Sequence, residues 1–232
     1  RLTEINDIDS ASSLLYWDQA TYMPTGGATA RGRQLATLRQ IAHEKFTSLE
    51  IGQLLDDLAG YASDLPYDSD EASLLRMTRR RFDRAIKVPA SFMARLSQHR
   101  AQSYEAWAKA RPANNFAIVQ PFLEKTLDLS RERANYFPGY QHIADPLIEA
   151  SDYGVSATSI RTLFSQLRDR LVPLVQKITE QPSVDNTCLR QSFPEAQQLA
   201  FSLRVIDRLG YDLTRGRQDK TLHPFMTKFS LG

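Results

Sequence analysis

The residues to test first for chemistry are the four histidines, His43, His99, His142 and His223. A zinc site on one helix wants two histidines separated by three residues, so that both imidazoles face one ion. No pair in this sequence has that spacing. His43-Glu44 begins like a His-Glu-x-x-His motif, but Thr47 stands where the second histidine belongs. The motif fails, Glu44 has no metal-bound water to activate, and His43 is expected on a helix surface. Nucleophilic chemistry has no better footing. There is no Gly-x-Ser-x-Gly elbow. Cys188 is the only cysteine, follows Thr187 with no histidine beside it, and reads as a spare thiol. Gly26-Gly27 is a pair and not the Gly-x-x-x-x-Gly-Lys loop that cradles phosphate.

Two clusters stand out from this background. The first is Leu14-Leu15-Tyr16-Trp17-Asp18-Gln19-Ala20-Thr21-Tyr22-Met23-Pro24. On a helix Trp17 and Asp18 point about 100° apart, so one can be buried while the other reaches a boundary. Two readings stand: a structural one, with Trp17 in the core and Asp18 and Gln19 bonding neighbouring backbone, and a functional one. The second cluster is Gly216-Arg217-Gln218-Asp219-Lys220-Thr221-Leu222-His223-Pro224-Phe225. A residue before proline is biased to extended backbone, which lets the His223 ring project from a stiff segment. That suits a site residue; the alternative is an ordinary loop histidine.

The elements that must position these groups are helical. Ile160, Leu163, Phe164, Leu167, Leu171, Leu174, Val175 and Ile178 draw one apolar stripe, with Pro173 inside it as a kink point. Leu35, Leu38, Ala42 and Phe46 give a second stripe. Ile51, Leu54, Leu55 and Leu58 give a third, with Ser48 as its cap and Gly60 as its stop. Phe116, Val119, Leu123 and Leu127 give a fourth, closing at Phe137-Pro138-Gly139. Ser192-Phe193-Pro194-Glu195 reads as a capping box. It opens a helix that turns Leu199, Leu203 and Ile206 inward and stops at Gly210. No segment alternates with the strand period. The expectation is an all-α protein of about seven helices in a bundle-like array, with residues 1–232 as one helical region.

Composition narrows the function classes. The chain has 232 residues, 42% hydrophobic and 24% charged, which is a globular profile. Lys plus Arg is 29 and Asp plus Glu is 27, so the net charge of +2 gives no global pull toward nucleic acid or an anionic membrane. The sequence has no apolar run long enough to span a bilayer and no apolar region typical of a signal peptide near Arg1. A single cysteine forms no intrachain disulfide and fits a reducing, cytoplasmic setting. Charge is segregated locally. Glu50, Asp56, Asp57, Asp64, Asp68, Asp70 and Glu71 form an acidic run without Lys or Arg. Residues 76–111 are basic, with Asp83 and Glu105 their only acids. The two runs are expected to pair as solvated faces. The sharper reading is a basic strip for phosphate or an acidic partner; a nucleic-acid binder using Arg76, Arg79, Arg80, Arg81 and Arg84 has no support in the balanced total charge.

Residues 14–24, followed by Gly27, Arg31 and Arg33-Gln34-Leu35-Ala36-Thr37-Leu38, resemble the N-terminal region of the carboxypeptidase Taq family of zinc metallocarboxypeptidases. The resemblance continues through Pro121-Phe122-Leu123-Glu124-Lys125, Leu167 to Ile178 and Leu209-Gly210-Tyr211-Asp212-Leu213. It closes on the family's His-Pro-Phe motif at His223-Pro224-Phe225. One departure is Asp152-Tyr153-Gly154-Val155, where the family often has Glu-Pro-Gly-Met. The resemblance implies an all-helical fold and, in complete members, a zinc ion held by a His-Glu-x-x-His helix and a downstream Glu. This chain has no such motif. It is expected to be an N-terminal part of the fold, with no metal ligand, no catalytic residue and no peptidase activity of its own. The resemblance implies His223 as the one substrate-proximal residue. It also implies peptide C-termini as the substrate of the complete enzyme, and a homodimer or a zinc-bearing half as partner. A free-standing module that binds peptide or protein without hydrolysis is the competing reading.

Overall fold

The computed structural model describes residues 1–229, and among these every regular element is a helix. Ten α-helices follow in order: α1 (Leu2–Thr21), α2 (Ala28–Phe46), α3 (Leu49–Asp57), α4 (Ala59–Asp64) and α5 (Asp70–Ala85), then α6 (Ala90–Ala110), α7 (Gln120–Asn135), α8 (Asp145–Ile148), α9 (Ala157–Thr179) and α10 (Glu195–Arg208). Short 3-10 turns lie at Thr25–Gly27, Phe116–Ile118 and Thr187–Arg190. The count exceeds the expected seven because several short helices, such as α4 and α8, carry too few turns to show a period.

Local chemistry sets several starts and stops. Ser48 accepts from the Ile51 N–H at 3.4 Å and Ser69 from the Ala72 N–H at 3.2 Å, each satisfying an orphan donor of a first turn. The capping box of the chain lies at Ser156 and Ser159, opening α9. The expected box at Ser192 does not form. Pro194 is the N-cap of α10, because a residue before proline avoids helical backbone and Phe193 cannot serve as a first helical position. Gly60 does not stop α3 either. The break falls at Leu58, and Gly60 lies inside α4. Gly210 does end α10, with φ +83°, the left-handed backbone that glycine takes without penalty.

Packing centres on α2, which lies against both α1 and α6, while α7 runs antiparallel to α6. Between α6 and α7 sit Phe92, Leu96, Leu129, Val88 and Phe137, with the Tyr136 ring edge-on to Phe92 at 5.4 Å. A second cluster joins Ile51 and Leu55 of α3 to Phe82 of α5. There a Cβ at Gly52 would lie 3.0 Å from the tip of the Phe82 ring, a contact tight enough that the ring would have to shift to admit a larger residue. His43 differs from its expected surface position. It is half-buried, with Nε2 3.1 Å from the Val88 carbonyl at the entry to α6.

The basic run is largely structural. Arg79 pairs with Asp56 of the acidic run, Arg76 donates to the Tyr67 carbonyl, and Arg80 and Arg84 each donate at 2.6 Å to the Glu149 and Pro146 carbonyls. The last two hold the α8 turn. Asp145 then takes the N–H groups of Ala157 at 2.7 Å and His142 at 3.0 Å, fixing the first residue of α9. These backbone bonds, above all Ala157, keep the Asp145 carboxyl below its ordinary range.

Beyond Ala157 the described structure buries no side chain of α9, and α10 buries none. The α9 stripe forms on a continuous helix through Pro173 but faces solvent. Leu203 of α10, expected inward, is exposed; Leu199 and Ile206 are half-buried.

Candidate functional site

The two unusual clusters of the sequence meet in space. Residues 216–229 carry no regular structure and run as a strap across the C-terminal end of α1 toward α6. The strap is pinned by side chains. Asp219 accepts from the Tyr22 hydroxyl at 2.5 Å and from Arg217 at 2.7 Å, and its own side chain is only 6% exposed. Burial opposes ionisation of Asp219, but the Tyr22 and Arg217 donors outweigh it and hold the carboxyl below its ordinary range. Reciprocally, the bond to Asp219 raises the Tyr22 phenol. The Thr221 hydroxyl donates to the Ala20 carbonyl at 3.0 Å, and Arg217 lies over the Trp17 ring at 5.3 Å.

Strap and helices together form an open cleft of about 640 Å³ lined by Tyr16, Ala20, Tyr104, Trp107, Arg111, His223 and Phe225. Tyr16 of α1 meets Phe225 edge-on at 5.3 Å and Tyr104 of α6 at 6.4 Å. Tyr104 lies 5.8 Å from Trp107, and the His223 imidazole stands perpendicular to Trp107 at 5.9 Å. Burial, reinforced by Tyr16, pushes the Tyr104 phenol up, so its hydroxyl stays a hydrogen-bond donor well above neutral pH. The Arg111 guanidinium lies over Trp107 at 5.4 Å and reaches the Leu222 carbonyl at 3.4 Å.

Sequence reasoning singled out His223 alone as a site residue; it lines this cleft together with Tyr16 and Phe225, which the sequence offered only as members of the two clusters. That reasoning missed Tyr104, Trp107 and Arg111. Their spacing of three and then four residues, on one face of α6, was the available signal. Asp18 does not bond backbone as the structural reading expected. It pairs with Arg31 at 2.7 Å, while Arg31 also donates to the Leu15 carbonyl at 2.5 Å. Gln19 Oε1 is buried without a hydrogen-bond partner. Trp17 is half-buried, edge-on to Tyr22 at 5.7 Å and outside the cleft lining.

The residues present do not fit a zinc ion. Among the described residues no three His, Cys, Asp or Glu side chains converge as ligands would. The four histidines are dispersed: His43 against Val88, His99 against Thr126 at 2.8 Å, His142 at Arg161, and His223 at the cleft. Among the described residues no helix is long and apolar enough to cross a membrane.

Comparison with known proteins gives a consistent result. The family model described as Carboxypeptidase Taq (M32) metallopeptidase matches residues 1–231. Thermostable carboxypeptidase 1 of Thermus thermophilus is 31% identical over 230 residues, which is 93% of this chain and 44% of that protein. The BsuCP crystal structure superposes with a TM-score of 0.91 at 26% identity, over 98% of this chain and 46% of that one. The carboxypeptidase of Deinococcus radiodurans gives a TM-score of 0.77 at 41% identity, over 98% of this chain and 45% of that one. The chain thus spans less than half the length of the relatives it matches. With the all-helical fold, the strap motif and a family match running through both, the chain belongs to the carboxypeptidase Taq family of metallopeptidases.

Proposed function

We propose that the chain is one helical region of a zinc-dependent carboxypeptidase and supplies a wall of the cleft that receives a peptide's C-terminal end. The observation that carries the reading is the convergence of Tyr16, Trp107 and Phe225 with the His223 of the His-Pro-Phe motif on one cleft in a chain of this family. His223 stands at the cleft, where its imidazole N–H can donate to a substrate carbonyl. Bound metal, supplied from outside the residues described here, would activate the water that cleaves the last peptide bond. A reducing, cytoplasmic setting suits a chain whose one thiol, Cys188, is exposed and free. A second copy or a zinc-bearing half is the partner that this reading requires on the exposed α9 face.

The test is metal-dependent release of C-terminal residues by the native gene product, followed by mass spectrometry alongside the intact mass of that product. Release that chelator abolishes and His223→Ala lowers is the expected result. The 232-residue chain by itself is expected to release nothing with zinc added. A native product without this activity would overturn the carboxypeptidase reading. Zinc-dependent, chelator-sensitive release by the isolated chain would overturn the placing of the metal outside it.

A further inference from the structure

We propose that the aromatic cleft is a subsite for an anionic ligand with a large apolar side chain, namely an aromatic or large aliphatic amino acid whose free carboxylate meets Arg111. The proposal deepens the carboxypeptidase reading and rests on it for identifying that ligand as the end of a peptide or the residue released from it.

The lining states the ligand's chemistry. Four aromatic rings, Tyr16, Tyr104, Trp107 and Phe225, form the walls. Tyr16 stands edge-on to both Tyr104 and Phe225, and edge-to-face packing is the geometry by which such walls take a further ring or a branched aliphatic group. The volume of about 640 Å³ lies within the range of ligand pockets.

Charge decides the rest. Arg111 and His223 are the only basic side chains in the lining, and no Asp or Glu lines it. Among the described residues Arg111 makes no ion pair. Its one hydrogen bond, to the Leu222 carbonyl, is long at 3.4 Å, so most of its five donors are unspent. The Trp107 ring beneath it limits the guanidinium's freedom, which lowers the entropy lost when a carboxylate takes the fork. A cationic side chain would meet Arg111 with no acid to offset the repulsion. The cleft therefore selects apolar over basic residues and a free carboxylate over an amide.

Trp107 is the reporter. The chain has two tryptophans, and Trp17 lies outside the cleft, so Trp17→Phe leaves Trp107 as the single tryptophan, read by excitation beyond the tyrosine band. In that background N-acetylphenylalanine is expected to give a saturable change in emission. N-acetylphenylalaninamide and N-acetylglycine should bind roughly tenfold or more weakly, the scale of one charge-assisted contact or one buried ring. Arg111→Gln should erase the preference of acid over amide, and Arg111→Lys should retain part of it. Comparison with free phenylalanine separates the two sources. Tighter N-acetylphenylalanine assigns the subsite to the substrate end, and tighter phenylalanine assigns it to the released residue.

Equal affinity for acid and amide, equal affinity for the glycine derivative, or no binding by protein with native circular dichroism would overturn the proposal. If the native product still releases C-terminal residues in that event, the carboxypeptidase reading stands and only the subsite fails. If the native product releases none, the reading itself has failed, whatever the ligand series shows.

Discussion

The exposed stripe of α9 supports the most quantitative prediction. Leu163, Phe164, Leu167, Leu171, Leu174, Val175 and Ile178 are each between 45% and 61% exposed. Fully burying such a side chain is worth about 1.5–3 kcal/mol, so covering the half that remains recovers about 1 kcal/mol each. A symmetric dimer that covers both stripes would recover about 14 kcal/mol before costs, against about 4–15 kcal/mol for association itself. The isolated chain should therefore self-associate weakly, in a concentration-dependent way at tens of micromolar. Leu167→Asp with Leu171→Asp removes two of these contacts on each copy, about 4 kcal/mol in all, or close to a thousandfold in the dimer constant. Both side chains are half-exposed on a helix that, among the described residues, buries no side chain beyond Ala157, so the substitutions should leave the fold intact. Sedimentation equilibrium of the two proteins is the assay, with circular dichroism as the folding control. A parent chain that stays monomeric and binds no apolar dye would refute the reasoning outright. A double variant that associates as strongly as its parent would show that another surface is responsible.

Three further outcomes follow from the core and the strap. Phe92→Ala empties the centre of the α6–α7 contact and should cost about 3–5 kcal/mol, lowering Tm by about 6–20 °C in calorimetry. His99 is buried, with Nε2 bonded to Thr126 and Ser103, and burial, opposed by the Phe122 backbone and reinforced by Lys125 and Arg100, lowers its pKa from 6.5. The unfolded chain then binds the proton more readily than the folded one, so stability holds above about pH 6.5 and falls as pH drops through the window below it. His99→Gln should flatten that fall in thermal melts between about pH 7.5 and 5.5; an unchanged slope would assign it to other groups. Asp219→Ala removes the acceptor shared by Tyr22 and Arg217. It should speed proteolysis at Arg217 and Lys220 while leaving cleavage within α2 and α6 slow; equal protection of the strap would show that its aromatic contacts suffice.

Much of the helix pattern was legible because helical period is local. The stripes at Leu35–Phe46 and Ile160–Ile178 do form helices, the Ser48 cap bonds as read, and Gly210 ends α10. The misreadings have separate causes. At Ser192 the cap pattern was present, but the backbone limit that Pro194 places on Phe193 decided the start. At Gly60 a glycine after an apolar run looked like a stop, yet its backbone never enters the left-handed region and the chain broke at Leu58. His43 read as exposed because its burial depends on where α6 begins to pack on α2, which no local spacing encodes.

By itself the sequence determined the all-helical class, the family and one cleft residue, His223, because each rests on residue types at short spacing. Only the tertiary structure decided that Tyr16, Tyr104, Trp107, Arg111 and Phe225 surround that histidine. They come from three regions far apart in the chain, brought together by α2 packing on both α1 and α6 and by Asp219 pinning the strap. The tertiary structure likewise showed that no other element among the described residues covers the longest apolar stripe. Periodicity says that a helix has an apolar face; only the positions of other elements say what covers it.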